Sequence, residues 1–265
     1  MRKASAIIFI IMALSSAQAA YALRPSTYDP YAEGNVWAYR TMTITVFSVG
    51  EGENSKSGAV TTRGAMTTEI VSEQERRPNG DVTYETRSTD RSRDSLPGSK
   101  EEVMVSESTD LVTKQGSYTL STKAPEQHGG VNHKYDPPLF NYPADIAVGS
   151  RWRIGTIWED KLSYTDFAQV VGTETVDTPA GTFDDCLKVV ITHNKMGGSM
   201  PGPSRDDVEI GSGQGVLTLW LAKGVGLVKE DELSQLMFDD PIHDNVPVLL
   251  TSRSTRVLLP GYKVN

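Results

Sequence analysis

Four histidines, one cysteine and three runs of adjacent acids are the side chains here that could do chemistry. His128 and His133 flank Gly-Gly-Val-Asn, and His193 and His243 border other loop-like stretches. A metal site needs convergent ligands, yet neither H-E-x-x-H nor a paired-Cys spacing is present, so exposed loop histidines are expected and no metal is assigned. The sequence also holds no G-x-S-x-G elbow and no S-x-x-K. Cys186 lies in the apolar run C-L-K-V-V-I, which predicts a small buried side chain, and His193, seven residues on, falls on the opposite strand face. Asp184-Asp185, Asp206-Asp207 with Glu209, and Asp239-Asp240 could in principle serve glycoside hydrolysis or calcium binding. Adjacent residues of an extended chain point apart, however, and no D-x-[DN]-x-[DN]-G loop occurs, so solvated charge is expected. Gly211-Ser-Gly213-Gln-Gly215 matches a phosphate loop only in glycine content. No catalytic residue and no cofactor are assigned.

The elements that would position any such group are strands. Val36–Val49 alternates, with Met42, Ile44 and Val46 on one face and Thr41, Thr43 and Thr45 on the other, the pattern of a half-buried antiparallel strand. Asn79-Gly80 sits between two strand-like runs as a hairpin signal. Strand-like segments continue to residue 122 and resume from 151, where Arg151–Trp158, Lys161–Val176, Cys186–His193, Val216–Ala222, Gly226–Leu236 and Val248–Leu259 all read as extended. Residues 123–150 hold Pro125, Pro137, Pro138, Pro143 and two adjacent glycines, and are expected to be a connector between a β-meander half (23–122) and a second β half (151–265) within one fold. Residues 194–215, with six Gly, two Pro and three Ser, predict a long exposed loop. The fold class is all-β: mainly antiparallel, strongly curved sheets in an open or half barrel.

The first 22 residues have the plan of an export signal: Arg2 and Lys3, an apolar run from Ala4 to Leu14, then two A-x-A sites at Ala17–Ala19 and Ala20–Ala22. The apolar run is shorter than the roughly 20 residues of a bilayer span, and no thiol lies near the cleavage site to be acylated. A periplasmic location is expected, with secretion beyond the cell as the variant. Removing Arg2 and Lys3 lowers the basic residues from 26 to 24 against 34 acids, a net charge of −10. Such a charge opposes nucleic acid and anionic membrane surfaces as partners. At 265 residues and 38% hydrophobic, the chain can bury a large core without a disulfide.

Four patterns carry a resemblance: V-G-S-R-W at 148–152, V-D-T-P-A-G-T-F at 176–183, C-L-K-V at 186–189, and L-W-L-A-K-G-V-G-L-V-K at 219–229. Together they resemble a family of uncharacterised exported bacterial β proteins with sheets similar to the incomplete barrel of the lipoprotein carriers LolA and LolB. The resemblance implies a non-enzymatic envelope protein that binds a lipophilic group or an envelope partner. Trp37, Tyr39, Trp152 and Trp220 are its candidate ligand-lining aromatics, with packing the simpler role for each. An assembly factor for another exported protein is the alternative, and a hydrolase with a dispersed site the third reading. Clustering of Asp, His and Ser side chains would favour that last one.

Overall fold

Alternating and β-branched runs predict strands, and the computed structural model contains no helix among its described residues: 28, 30–50, 56–123, 132–159, 162–201, 207–240 and 246–265. The export signal, His128 and His243 lie outside them. Twelve strands follow in chain order: β1 (Val36–Val49), β2 (Lys56–Arg76), β3 (Val82–Asp94), β4 (Glu102–Val112), β5 (Gly116–Lys123), β6 (Asn132–Pro143), β7 (Arg151–Glu159), β8 (Leu162–Thr178), β9 (Gly181–Pro201), β10 (Asp207–Ala222), β11 (Gly226–Asp240) and β12 (Val246–Leu258). They form one antiparallel sheet in the order β6-β5-β4-β3-β2-β1-β12-β11-β10-β9-β8-β7. Every pair of consecutive strands is hydrogen-bonded except β6 and β7, and the first and last strands of the chain pair at the centre. The two predicted halves therefore share one sheet.

The turns are the ones their residues demand. Asn79-Gly80 closes β2–β3 with Gly80 at φ 93°, and Lys223-Gly224-Val225 closes β10–β11 with Gly224 at φ 75°. Thr178-Pro179-Ala180-Gly181 joins β8 to β9. Two predicted irregular stretches are strands instead. Most of 194–215 extends the β9–β10 hairpin, because a ladder partner holds the glycines extended; only 202–206 lie outside the described residues. The expected connector contains β6, whose Pro137 and Pro138 fall in a register shift against β5. Prolines lack an N–H and are tolerated on an edge strand or at a bulge.

β6 and β7 are the two ends of the sheet, and no ladder joins them. Side chains do so: the Trp152 Nε1 donates to the Asn141 carbonyl at 2.8 Å, and the Tyr142 and Trp152 rings lie 5.9 Å apart. A Cβ on Gly155 would sit 2.8 Å from Leu139 Cδ2, so the glycine lets Leu139 lie on β7. The sheet is thus curved enough to bring its ends together while remaining open in hydrogen bonds. Trp37 Nε1 donates to the Val225 carbonyl at 2.7 Å, tying β1 past β12 to the β10–β11 turn.

β1 carries the main surprise in facing. Met42, Ile44 and Val46 are 36%, 38% and 40% exposed, whereas Thr43 and Thr45 are 8% and 1% exposed. The hydroxyl face is the inner one. Cross-strand pairs make this tolerable: Thr45 with Ser252 at 3.4 Å, Thr43 with Ser254 at 3.4 Å and Thr68 with Ser88 at 3.1 Å. Each hydroxyl finds a neighbour, so burial leaves it satisfied. Apolar residues fill another part of the same face, among them Trp37, Tyr39, Ile70, Trp152, Val189, Leu219, Val228 and Leu258.

Candidate functional site

Period-two alternation places Val228, Glu230, Glu232, Ser234, Leu236 and Phe238 of β11 on one face, and all six are buried. Two acids therefore stand in the middle of an otherwise core-like stripe. Register supplies their neighbours. Arg256 of β12 is the cross-strand partner of Glu230, and Ser254 that of Glu232. One row further along run Ser252, Ser234, Gly215, His193 and Asp166, from β12 across to β8.

His193 Nδ1 is hydrogen-bonded to Asp166 Oδ1 at 2.8 Å, while Nε2 lies 3.9 Å from Glu232 Oε1. Gly215 makes this reach possible, since a Cβ there would meet His193 Cδ2 at 2.6 Å. The imidazole lies across β10 on the space a side chain would take. The Tyr164 ring stands edge-on to it at 5.4 Å. Arg256 Nη2 lies 3.3 Å from Glu230 Oε1, and its guanidinium sits 5.6 Å from the centre of the Tyr39 ring. Asp90 of β3 approaches the same charge, and its carboxylate accepts from the Arg91 backbone N–H.

Several polar atoms of this layer are buried with no hydrogen-bond partner: both Glu230 oxygens, Glu232 Oε2, Asp90 Oδ1, and Arg256 Nε and Nη1. The same fold satisfies another buried carboxylate fully. Asp110 accepts from Thr86 and Ser108 at 3.0 Å each and from Thr119 at 2.9 Å, and Asn141 Nδ2 completes that network on Thr119. The contrast gives the orphan atoms their meaning, because an unmade buried hydrogen bond costs about 1–3 kcal/mol and more for a charged group.

Burial dominates the electrostatics. It pushes Glu232 up from 4.5 to about 8, against a smaller opposing pull from His193. Glu230 and Asp90 are also raised by burial, with the Arg256 charge working the other way in both. Glu232, held up to about 8, can donate a hydrogen bond near neutral pH and gains a negative charge that a cation would offset when it releases its proton.

The sequence-predicted aromatics are scattered. Trp37 and Tyr39 lie inside, bonded to the Val225 and Leu227 carbonyls, and the Tyr39 ring lies against the Arg256 guanidinium. Trp152 belongs to the β6–β7 seam. Trp220 is 7% exposed, with its Nε1 donating to Glu174 at 2.7 Å and the Lys188 and Lys229 ammonium groups over its ring. Cys186 is buried and its thiol pushed up to about 11 by burial and the neighbouring Asp184 and Asp185, as an inert side chain should be. The expectation of exposed loop histidines fails at His193, which is buried within β9; His133 stands half-buried on β6. No group of three or more metal-ligating side chains occurs among the described residues.

Sequence reasoning missed Glu230, Glu232, Arg256, Asp166 and Asp90. A usable signal existed in V-K-E-D-E-L-S-Q-L-M-F, where alternation puts both glutamates on the face of Val228, Leu236 and Phe238.

Comparison with known proteins adds a family. A Bacteroides fragilis protein described as exported and of YmcC-like fold is 16% identical over 87% of this chain and 96% of its own, at a TM-score of 0.33. DynF of the dynemicin biosynthesis pathway of Micromonospora chersina is 10% identical over 88% and 84%, at 0.30. An outer membrane channel of Pseudomonas putida is 9% identical over 89% and 100%, at 0.30. Likeness this slight carries no argument about the chain's activity or surroundings. No curated protein matches. The family model described as DUF3108-like matches residues 56–235, from β2 to the middle of β11, and the chain belongs to that family.

Proposed function

We propose that the chain is a non-enzymatic protein of the bacterial envelope that binds an amphiphilic group against the concave side of its sheet. One observation carries this reading: the inner face combines an apolar region with buried carboxylate and guanidinium atoms that lack hydrogen bonds. An apolar chain would lie against the first, and a polar head would complete the second. The purely lipophilic ligand implied by the resemblance to lipoprotein carriers is thereby refined, since hydroxyls and charges occupy much of the interior. The outer face supports a water-exposed protein. Arg63 on β2, Arg87 and Arg91 on β3 and Arg253 on β12 are exposed, and Arg253 stands between its cross-strand partners Ile44 and Leu233; each arginine would cost about 2–4 kcal/mol at a bilayer midplane. The export signal at 1–22 supports the envelope.

Native mass spectrometry of the chain purified from envelope extracts, before and after solvent extraction, tests the reading. An adduct lost on extraction together with a fall in melting temperature is expected. A mass equal to the bare chain and an unchanged melting temperature would defeat it.

A hydrolase is the second reading, favoured by the Asp166–His193 hydrogen bond with Ser234 in the same row. Labelling of Ser234 by a fluorophosphonate would select it.

A further inference from the structure

The interior layer is unbalanced in a way that specifies its ligand, an inference resting on the amphiphile reading above. Asp90 (β3), Asp166 (β8), Glu230 and Glu232 (β11) face Arg256 (β12) and His193 (β9). Acids exceed cations by two even with His193 charged. The orphan atoms are skewed likewise: Glu230 Oε2, Glu232 Oε2 and Asp90 Oδ1 against Arg256 Nε and Nη1, with Glu230 Oε1 lacking a hydrogen bond but 3.3 Å from Arg256 Nη2. An anionic head would meet this acid excess, with Arg256 its one strong partner and that group already 3.3 Å from Glu230. A hydroxyl head would bring no charge to set against it. A protonated amine brings three donors and one positive charge, matching both deficits.

We infer that the Glu230–Glu232–Asp90 layer is a binding site for the protonated amine of an amphiphile. The ammonium donates to Glu230 Oε2 and Glu232 Oε2, the oxygens of these two acids that have neither a hydrogen bond nor an ion pair. Burial favours the neutral acids, so seating a cation must expel a proton from them. Binding therefore strengthens as pH rises from about 6 to 8, a range in which an alkylamine, like lysine with its value near 10, stays charged. If Glu232 alone releases the proton, its ionised fraction rises roughly fifty-fold over that range, and apparent affinity rises with it.

The test is calorimetric titration of the solvent-extracted chain from Leu23 onward with dodecylamine, dodecanol and dodecanoate, each below its micelle concentration, at pH 6, 7 and 8. Two buffers of different ionisation enthalpy count the protons released. Dodecylamine should bind tightest, gain up to about fifty-fold between pH 6 and 8 and release close to one proton. In Glu232→Gln and Glu230→Gln, checked for native circular dichroism, that pH dependence should shrink. Dodecanoate or dodecanol binding as well as the amine would overturn the amine assignment and leave the amphiphile reading standing. Amine binding to the wild-type chain that ignores pH and releases no proton would also overturn it, whatever the variants do. Failure of all three probes would remove both.

Discussion

Replacing Glu232 by Gln should change how stability depends on pH more than it changes the fold. Glu232 ionises at 4.5 in its ordinary setting and at about 8 where it is buried beside Glu230 and within reach of His193, Arg256 and Asp166. The folded chain thus holds this proton more tightly than the unfolded one. The associated stability is whole below pH 4.5, declines as pH rises, and is fully lost once pH passes about 8. Each pH unit in that window is worth about 1.4 kcal/mol, so the loss totals roughly 5 kcal/mol as an upper bound. Glu230 and Asp90 are raised too and push the curve the same way. The Glu232→Gln variant keeps the shape of the side chain and cannot ionise. Urea unfolding of the solvent-extracted wild-type and variant chains at pH 5, 6, 7 and 8 reads the difference. Measured against acid conditions, the stability of Glu232→Gln relative to wild type should rise by about 1 kcal/mol at pH 5 and about 3 kcal/mol at pH 7. A difference that stays constant, or shrinks with rising pH, would refute the claim that Glu232 is buried and reluctant to charge.

Other contacts make their own predictions. Gly215→Ala should destabilise by about 1–3 kcal/mol in urea titrations, because its methyl group would collide with the His193 ring. Arg256→Ala strips the guanidinium beside Glu230 and should cost about 3–5 kcal/mol, whereas the Arg256→Met, Glu230→Met double variant should recover most of it. Ile44→Thr should shift stability by no more than about 0.5 kcal/mol, while Thr45→Ile, one residue along and facing inward, should cost about 1–3 kcal/mol by overpacking. Cys186 should resist a thiol reagent at about pH 8 in the native chain and react promptly once unfolded, as mass-shift labelling would show.

How much of this was legible beforehand depends on which force fixed each feature. Local chemistry was readable: Asn79-Gly80 and the Thr-Pro-Ala-Gly and Lys-Gly-Val-Gly turns need only their own residues, and the all-β, antiparallel, curved class follows from strand runs and spacing. Facing was harder. The alternation of β1 separates threonines from Met42, Ile44 and Val46, but only the pairing with β12 and β2, whose Ser252 and Thr62 face the same way, makes the hydroxyl side the inside. The glycines of 197–215 read as a loop because their composition says so; a long hairpin partner overrules composition, and at Gly215 the missing side chain is used by His193. The charged layer was least visible. Its members lie on β3, β8, β9, β11 and β12, and their convergence depends on register across the sheet.

The central claim is that the buried layer around Glu230, Glu232 and Arg256 is completed by a ligand's polar head. Electron density from crystals of the chain purified out of envelope extracts, without solvent extraction, tests it most directly. Elongated density is expected with its polar end at roughly 3 Å, hydrogen-bond distance, from Glu230 and Glu232. Side chains closed on one another there, with Arg256 paired bidentately to Glu230 and Glu232 bonded to His193, would contradict it.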